Sequence, residues 1–309
     1  MDRRAYMRLV IGGCGGGLVG GCGSPEEMLP ASDQTLFLGG KRVPRAVVTE
    51  APGWGRVARA PAGANRLLYP ASFPVVLADS VLVLDIRTGR TIGHKNPDRR
   101  RAVASTQKLL SALLILERGG LERQVTIARE DTLQPPSKMY LKVGERYTRR
   151  ELLSVVLVKS ANDAAAALAR DHSGSTGGFA EAMNRRARVL GAGDSRFVNA
   201  HGLTEAGQYS TARNIAKIAM VAYRQPFVRD MARRQSVSVR GKTYKATNKL
   251  LKRMVQCTGL KTGYTVASGR CFVCTAKMGA REVMVVQLGS KESVIWKDTE
   301  RLLWWAARV

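Results

Sequence analysis

Ser105 and Lys108 stand three residues apart at the head of an apolar run holding Leu109, Leu110, Leu113, Leu114, Ile115 and Leu116. On a helix these side chains cover most of the circumference, so the helix belongs at the centre of a domain rather than on its surface. Gly119-Gly120 ends it. The same helix puts Ser105 and Lys108 on one face, one turn apart. A serine hydroxyl is a weak nucleophile until a neighbouring base takes its proton. A lysine in a dry site can be that base, because desolvation disfavours its charged form. Placing Ser105 in the first turn leaves its backbone N–H free of the intrahelical ladder.

The flanking sequence supplies what surrounds this helix. Val75–Leu77, Ser80–Ile86 and Thr91–His94 read as strands, the last two joined by a turn at Arg87-Thr88-Gly89-Arg90. Helices follow over Tyr147–Val158, Ala164–Arg170, Phe179–Leu190 and Thr211–Tyr223. Thr148 with Glu151 forms a capping box for the first of these, and Asn162 or Asp163 caps the second. Strands return at Ser236–Arg240, Val255–Leu260, Arg270–Lys277 and Glu282–Leu288, before a closing helix over Asp298–Val309. Strands at both ends around a helical middle predict an α/β fold. Its antiparallel sheet is built from both chain ends, with flanking helices and an inserted all-helical lobe over about residues 105–230.

With 50 Lys and Arg against 24 Asp and Glu, the 309-residue chain carries a formal charge of +26. Nucleic acid is the first partner to consider for such a chain. Aromatics are only 6%, and no zinc finger or RNA-recognition signature is present. An anionic membrane or cell-wall polymer accounts for the charge instead. Arg3, Arg4 and Arg8 precede a short apolar segment, as in an export signal. Val19-Gly20-Gly21-Cys22 resembles the lipobox of bacterial lipoproteins, with Ile11-Gly12-Gly13-Cys14 a poorer match. We therefore expect a signal peptide over 1–21, a lipid on Cys22 and a Pro/Gly/Ala-rich tether over 22–74, with an ordered piece near Leu36–Leu38. The folded domain spans 75–309. Cys257, Cys271 and Cys274 have no histidine nearby and read as buried thiols rather than metal ligands, with a bridge from Cys257 to one of the other two left open.

Three short motifs each occur once and in order: Ser105-Thr106-Gln107-Lys108, Ser160-Ala161-Asn162 and Lys261-Thr262-Gly263. This is the set used by penicillin-binding proteins and serine β-lactamases. The flanks narrow it. Ser137-Lys138-Met139-Tyr140-Leu141, Phe197-Val198-Asn199-Ala200-His201-Gly202-Leu203 and Gly259-Leu260-Lys261-Thr262-Gly263-Tyr264-Thr265 resemble the low-molecular-mass penicillin-binding proteins that are D-alanyl-D-alanine carboxypeptidases. The resemblance runs from about Val75 to the C-terminus.

That resemblance implies roles. Ser105 attacks the carbonyl between the terminal D-alanines of a peptidoglycan stem peptide, and Lys108 takes its proton and later helps activate the deacylating water. Ser160 relays a proton to the leaving amine, and Asn162 binds the substrate amide. Lys261 and Thr262 hold the terminal carboxylate, and the N–H groups of Ser105 and Tyr264, beside Gly263, form an oxyanion hole. β-Lactams would acylate the same serine, and no metal or cofactor is called for. The protein is expected in the cell envelope, held to the membrane by lipid at Cys22.

One observation supports the carboxylate role independently. Residues 231–281, which include the Lys-Thr-Gly strand, contain no Asp or Glu. His201 is expected to be structural, His94 and His172 solvated, Asp163 a cap or buried acceptor, and Arg99–Arg101 a solvated loop. Two features depart from the resembled family. Thr106-Gln107 replaces the usual Leu-Thr, and a C-terminal β-rich domain with an amphipathic anchor is expected to be lacking. D-Ala endopeptidase activity is a close alternative. A β-lactamase-like hydrolase is disfavoured because the acidic loop that speeds deacylation in class A enzymes is not evident. A non-catalytic wall-binding lipoprotein is disfavoured by the complete motifs.

Overall fold

The structure, a computed structural model, describes residues 36–38, 41–43 and 72–309. The expected signal over 1–21, Cys22 and most of the tether lie outside the described residues. Two strands are described in the unit covering residues 1–45, β1 (Leu36–Leu38) and β2 (Lys41–Val43), paired antiparallel with Phe37 opposite Arg42.

In the unit that follows, five antiparallel strands form one sheet. They are β3 (Ser80–Asp85), β4 (Thr91–Lys95), β9 (Cys257–Thr265), β10 (Gly269–Met278) and β11 (Arg281–Ser290), in the spatial order β4-β3-β11-β10-β9. The N-terminal strands thus meet the C-terminal ones where β3 pairs β11, with Val83 opposite Val285. Side chains alternate between the two faces, as the two-residue strand period requires. Leu82, Leu84, Val273, Met284 and Val286 face the helical core. Val81, Val83, Phe272, Cys274 and Val285 face the other side. There they meet Leu302 and Leu303 of α8 (Ile295–Ala306), so the sheet is covered on both faces.

The central helix α1 (Lys108–Arg118) packs against α3 (Arg149–Val158), α4 (Asn162–Ser173), α5 (Thr176–Val189) and α6 (Ala212–Arg224). Its residues from Lys108 to Ile115 are all buried, as the all-round apolar pattern demands. The capping box forms: Thr148 Oγ1 accepts from the Glu151 N–H at 3.0 Å, and the Glu151 carboxylate accepts from the Thr148 N–H at 2.7 Å.

The structure corrects several expectations. The inserted lobe is not all helix, because β5 (Gln124–Thr126) pairs with β6 (Arg146–Thr148) inside it. A short α2 (Arg129–Thr132) lies between them. A further helix α7 (Pro226–Ala232) and a hairpin of β7 (Ser236–Val239) with β8 (Lys242–Lys245) close the lobe. Val75–Leu77 is irregular, held through its backbone by Asp298, which accepts from the Leu77 N–H at 3.1 Å. Ser105 sits not in the α-helix but in a 3-10 turn, Ala104–Gln107, that leads into it. Arg101 is no solvated loop residue either, since its guanidinium donates to Asp79 at 2.6 Å with the side chain 14% exposed. Cys257, Cys271 and Cys274 are buried free thiols on β9 and β10, with Cys257 Sγ 3.8 Å from Cys274 Sγ.

Candidate active site

The 3-10 turn carrying Ser105 lies against β9, the edge strand of the sheet. An edge strand keeps unpaired backbone groups on its outer side, and here the Lys261-Thr262-Gly263 stretch supplies them. Lys261–Gly263 is in the body of the strand rather than at its end, since β9 continues to Thr265. Gly263 permits the close approach, because a Cβ there would come within 2.7 Å of the Ser105 backbone nitrogen. Gly202 approaches the same turn, where a Cβ would meet the Ala104 carbonyl oxygen at 2.1 Å. Ala104 itself has φ of +48°, in the left-handed region that costs a non-glycine residue about 1–2 kcal/mol. The turn is held in that shape by its neighbours: Thr106 Oγ1 donates to the Val103 carbonyl at 2.6 Å, and Gln107 Nε2 donates to the Asn199 carbonyl at 2.6 Å.

Lys108 is fully buried, and its amine is surrounded by oxygens. Its Nζ lies 2.8 Å from Ser105 Oγ, 2.7 Å from Asn162 Oδ1 and 2.7 Å from the His201 carbonyl oxygen. Burial holds the Lys108 amine well below its ordinary pKa, the Lys261 charge adds to this, and the Asp163 carboxylate opposes it. A lysine so placed can accept the proton of Ser105 Oγ. The serine hydroxyl also reaches the His201 carbonyl at 3.2 Å.

Ser160 and Asn162 come from the break between α3 and α4. Ser160 has φ of +68°, and its side chain makes no hydrogen bond among the described residues. Both ends of the Asn162 carboxamide are engaged, Oδ1 by Lys108 and Nδ2 by the Pro135 carbonyl at 2.9 Å. In this arrangement Asn162 positions Lys108, and the second N–H of Nδ2 is left to meet a substrate amide. Asp163 is the buried acceptor expected of it: its carboxylate takes the N–H groups of Met139, Tyr140 and Leu141 at 2.8–3.3 Å. Those bonds fix the Lys138–Leu141 segment along one wall of the site.

Lys261 is buried beneath β9, its Nζ donating to the Thr262 carbonyl at 3.0 Å, and burial pulls its pKa down to about 7. Thr262 Oγ1 pairs with Thr247 Oγ1 at 2.6 Å. Tyr264 projects outward, with the Arg270 guanidinium stacked 4.4 Å from its ring centre. The cleft between these walls has a volume of about 480 Å³ and holds Ser105, Ser160, Asn162, Thr262 and Gly263.

All three motifs therefore converge. What the sequence reading missed is the part played by the stretch from Asn199 to Leu203. His201 acts through its carbonyl, while its ring accepts from the Leu203 N–H at 3.3 Å and is pushed down to about 3 by burial and by the Lys108 charge. A backbone acceptor has no residue signature, so only the family resemblance of the His-Gly-Leu flank pointed here.

A model of the D-alanyl-D-alanine carboxypeptidase family, peptidase family S11, matches residues 69–292. The chain belongs to this family. D-alanyl-D-alanine carboxypeptidase DacF of Bacillus subtilis (strain 168) is 31% identical over 69% of this chain and 57% of its own length. The chain thus spans less than two thirds of that relative. A D-alanyl-D-alanine endopeptidase of Escherichia coli K12 is 30% identical over 76% of this chain and 79% of its own. Among solved structures, a D-alanyl-D-alanine carboxypeptidase from Mycobacterium tuberculosis H37Rv superposes with a TM-score of 0.74 at 28% identity. The match covers 78% of this chain and 96% of that one. The fold is the penicillin-binding, transpeptidase-like α/β fold; Ser105, Ser160, Asn162, Thr262 and Gly263 line one cleft, and Lys108 is buried behind Ser105.

Proposed function

We propose that the chain is a serine D-alanyl-D-alanine carboxypeptidase acting on peptidoglycan stem peptides. The observation that carries this reading is the contact between Ser105 Oγ and the buried amine of Lys108 at 2.8 Å. In the reaction Lys108 takes the Ser105 proton as Oγ bonds to the carbonyl carbon between the two D-alanines. The oxyanion forms beside the Ser105 and Tyr264 backbone N–H groups, the donors expected to stabilise it. The C–N bond then breaks, and the proton reaches the departing D-alanine nitrogen through Ser160. Water hydrolyses the acyl-Ser105 ester, with Lys108 again accepting a proton, and the shortened peptide leaves. Lys261 and Thr262 hold the terminal carboxylate during these steps. A β-lactam acylates Ser105 by the same route.

The test is incubation with labelled penicillin and with a D-Ala-D-Ala peptide, beside Ser105→Ala. Acylation and D-alanine release by the parent alone are expected. Neither event in the parent would overturn the reading.

Endopeptidase activity is a second reading, favoured by the 79% coverage of the Escherichia coli endopeptidase. It uses the same acyl-enzyme, and release of monomers from cross-linked stem peptides distinguishes it. We also propose export and lipid anchoring at Cys22 in the cell envelope, on the strength of the N-terminal sequence. Membrane association that survives Cys22→Ser would refute the anchor.

A further inference from the structure

The cleft walls contain Lys138, Lys159 and Arg270 but no aspartate or glutamate. Two of these cations already have a partner within the fold. Arg270 pairs with Glu292 at 2.5 Å, and Lys138 Nζ donates to the Thr132 carbonyl at 2.7 Å. Lys159 is different. It is half-buried at the C-terminus of α3, directly before Ser160, and its amine has no hydrogen bond or ion pair among the described residues. Its backbone is pinned, with its carbonyl accepting from Ser137 Oγ at 3.1 Å and its N–H bonded to the Val155 carbonyl at 2.9 Å. A fixed backbone and an uncompensated ammonium on the wall of an acid-free cleft make a receptor for an anion. The D-Ala carboxylate is already assigned to Lys261 and Thr262, so this cation is left for a second one.

We infer that Lys159 is a specificity-determining residue that pairs with a second carboxylate on the stem peptide, upstream of the two D-alanines. The preferred substrate class is then a stem peptide whose side-chain carboxylate is free rather than amidated. This rests on the carboxypeptidase reading and specifies its substrate. An ion pair in a partly desolvated cleft, charge-assisted and hydrogen-bonded, supports a preference of about tenfold. Because Lys159 is only partly buried, the preference weakens as salt screens it.

The experiment compares acetyl-X-D-Ala-D-Ala peptides in which X is 2-aminopimelate or its side-chain carboxamide. The expected result is a kcat/KM about tenfold higher for the free carboxylate, expressed mainly in KM and shrinking with added salt. The ratio should fall near one in Lys159→Gln and be retained in Lys159→Arg. A purely structural lysine would change both peptides equally and leave the ratio intact. A ratio near one in the parent, or an unchanged ratio in Lys159→Gln, overturns the inference while leaving the carboxypeptidase reading standing. No D-alanine release from either peptide overturns that reading, and this inference with it.

Discussion

Gly202 lies so close to Ala104 that a Cβ at position 202 would stand 2.1 Å from the Ala104 carbonyl oxygen, one residue before Ser105. Gly202 also has φ of +86°, a conformation that side chains disfavour. Its two neighbours in sequence serve the same turn, His201 by accepting from Lys108 and Leu203 by lining the cleft. Gly202→Ala should therefore push the Ser105 turn out of place. We expect a loss of about 1–3 kcal/mol in stability from overpacking. Displacing the nucleophile by about an ångström should slow β-lactam acylation about 10²-fold. Thermal unfolding and acylation kinetics on the purified variant check both.

In the proposed mechanism the two buried lysines set the pH dependence of activity, because Lys108 must be neutral to accept the Ser105 proton and Lys261 must be charged to hold a carboxylate. The free-enzyme kcat/KM should rise as Lys108 loses its proton and fall as Lys261 loses its own near pH 7. Part of the depression of Lys108 comes from the Lys261 charge. Lys261→Gln should thus move the rising limb to higher pH and remove the falling one. An unmoved rising limb would show that the two amines do not interact.

Burial of His201 gives the fold an acid-sensitive element. Its folded pKa is depressed to about 3 from an ordinary 6.5, so the unfolded chain binds the extra proton between those values. Stability from this group is complete above 6.5 and is lost as pH falls toward 3, by up to about 1.4 kcal/mol per unit. His201→Asn, which keeps an acceptor for the Leu203 N–H, should flatten that slope in urea unfolding between pH 7 and 4.5.

Gln107 answers the departure from the usual Leu-Thr pair. Its Nε2 donates to the Asn199 carbonyl at 2.6 Å and lies 3.3 Å from Asn199 Oδ1, tying the Ser105 turn to the loop that bears His201. Gln107→Glu would set a buried carboxylate against these acceptors. The cost should be about 3 kcal/mol or more, read by chemical denaturation, with Gln107→Met far milder.

The sequence by itself determined the layout and the candidate residues. The apolar stretch after Lys108 demanded a helix enclosed on all sides, and Thr148 with Glu151 marked a helix start, because these are local patterns of side-chain type. Three single-copy motifs marked Ser105, Lys108, Ser160, Asn162 and the Lys-Thr-Gly strand as candidates, and the fold brings these segments together. The three-residue strands β5 and β6 escaped because so short a run has no measurable period. Only the tertiary structure decided how the site is held. The His201 carbonyl could come from any residue type, the need for Gly202 arises from a segment some hundred positions away, and the isolation of the Lys159 amine depends on which acids the fold keeps out of its cleft. Backbone atoms, close approaches and missing partners carry no mark in a linear sequence; they exist only once distant segments are packed together.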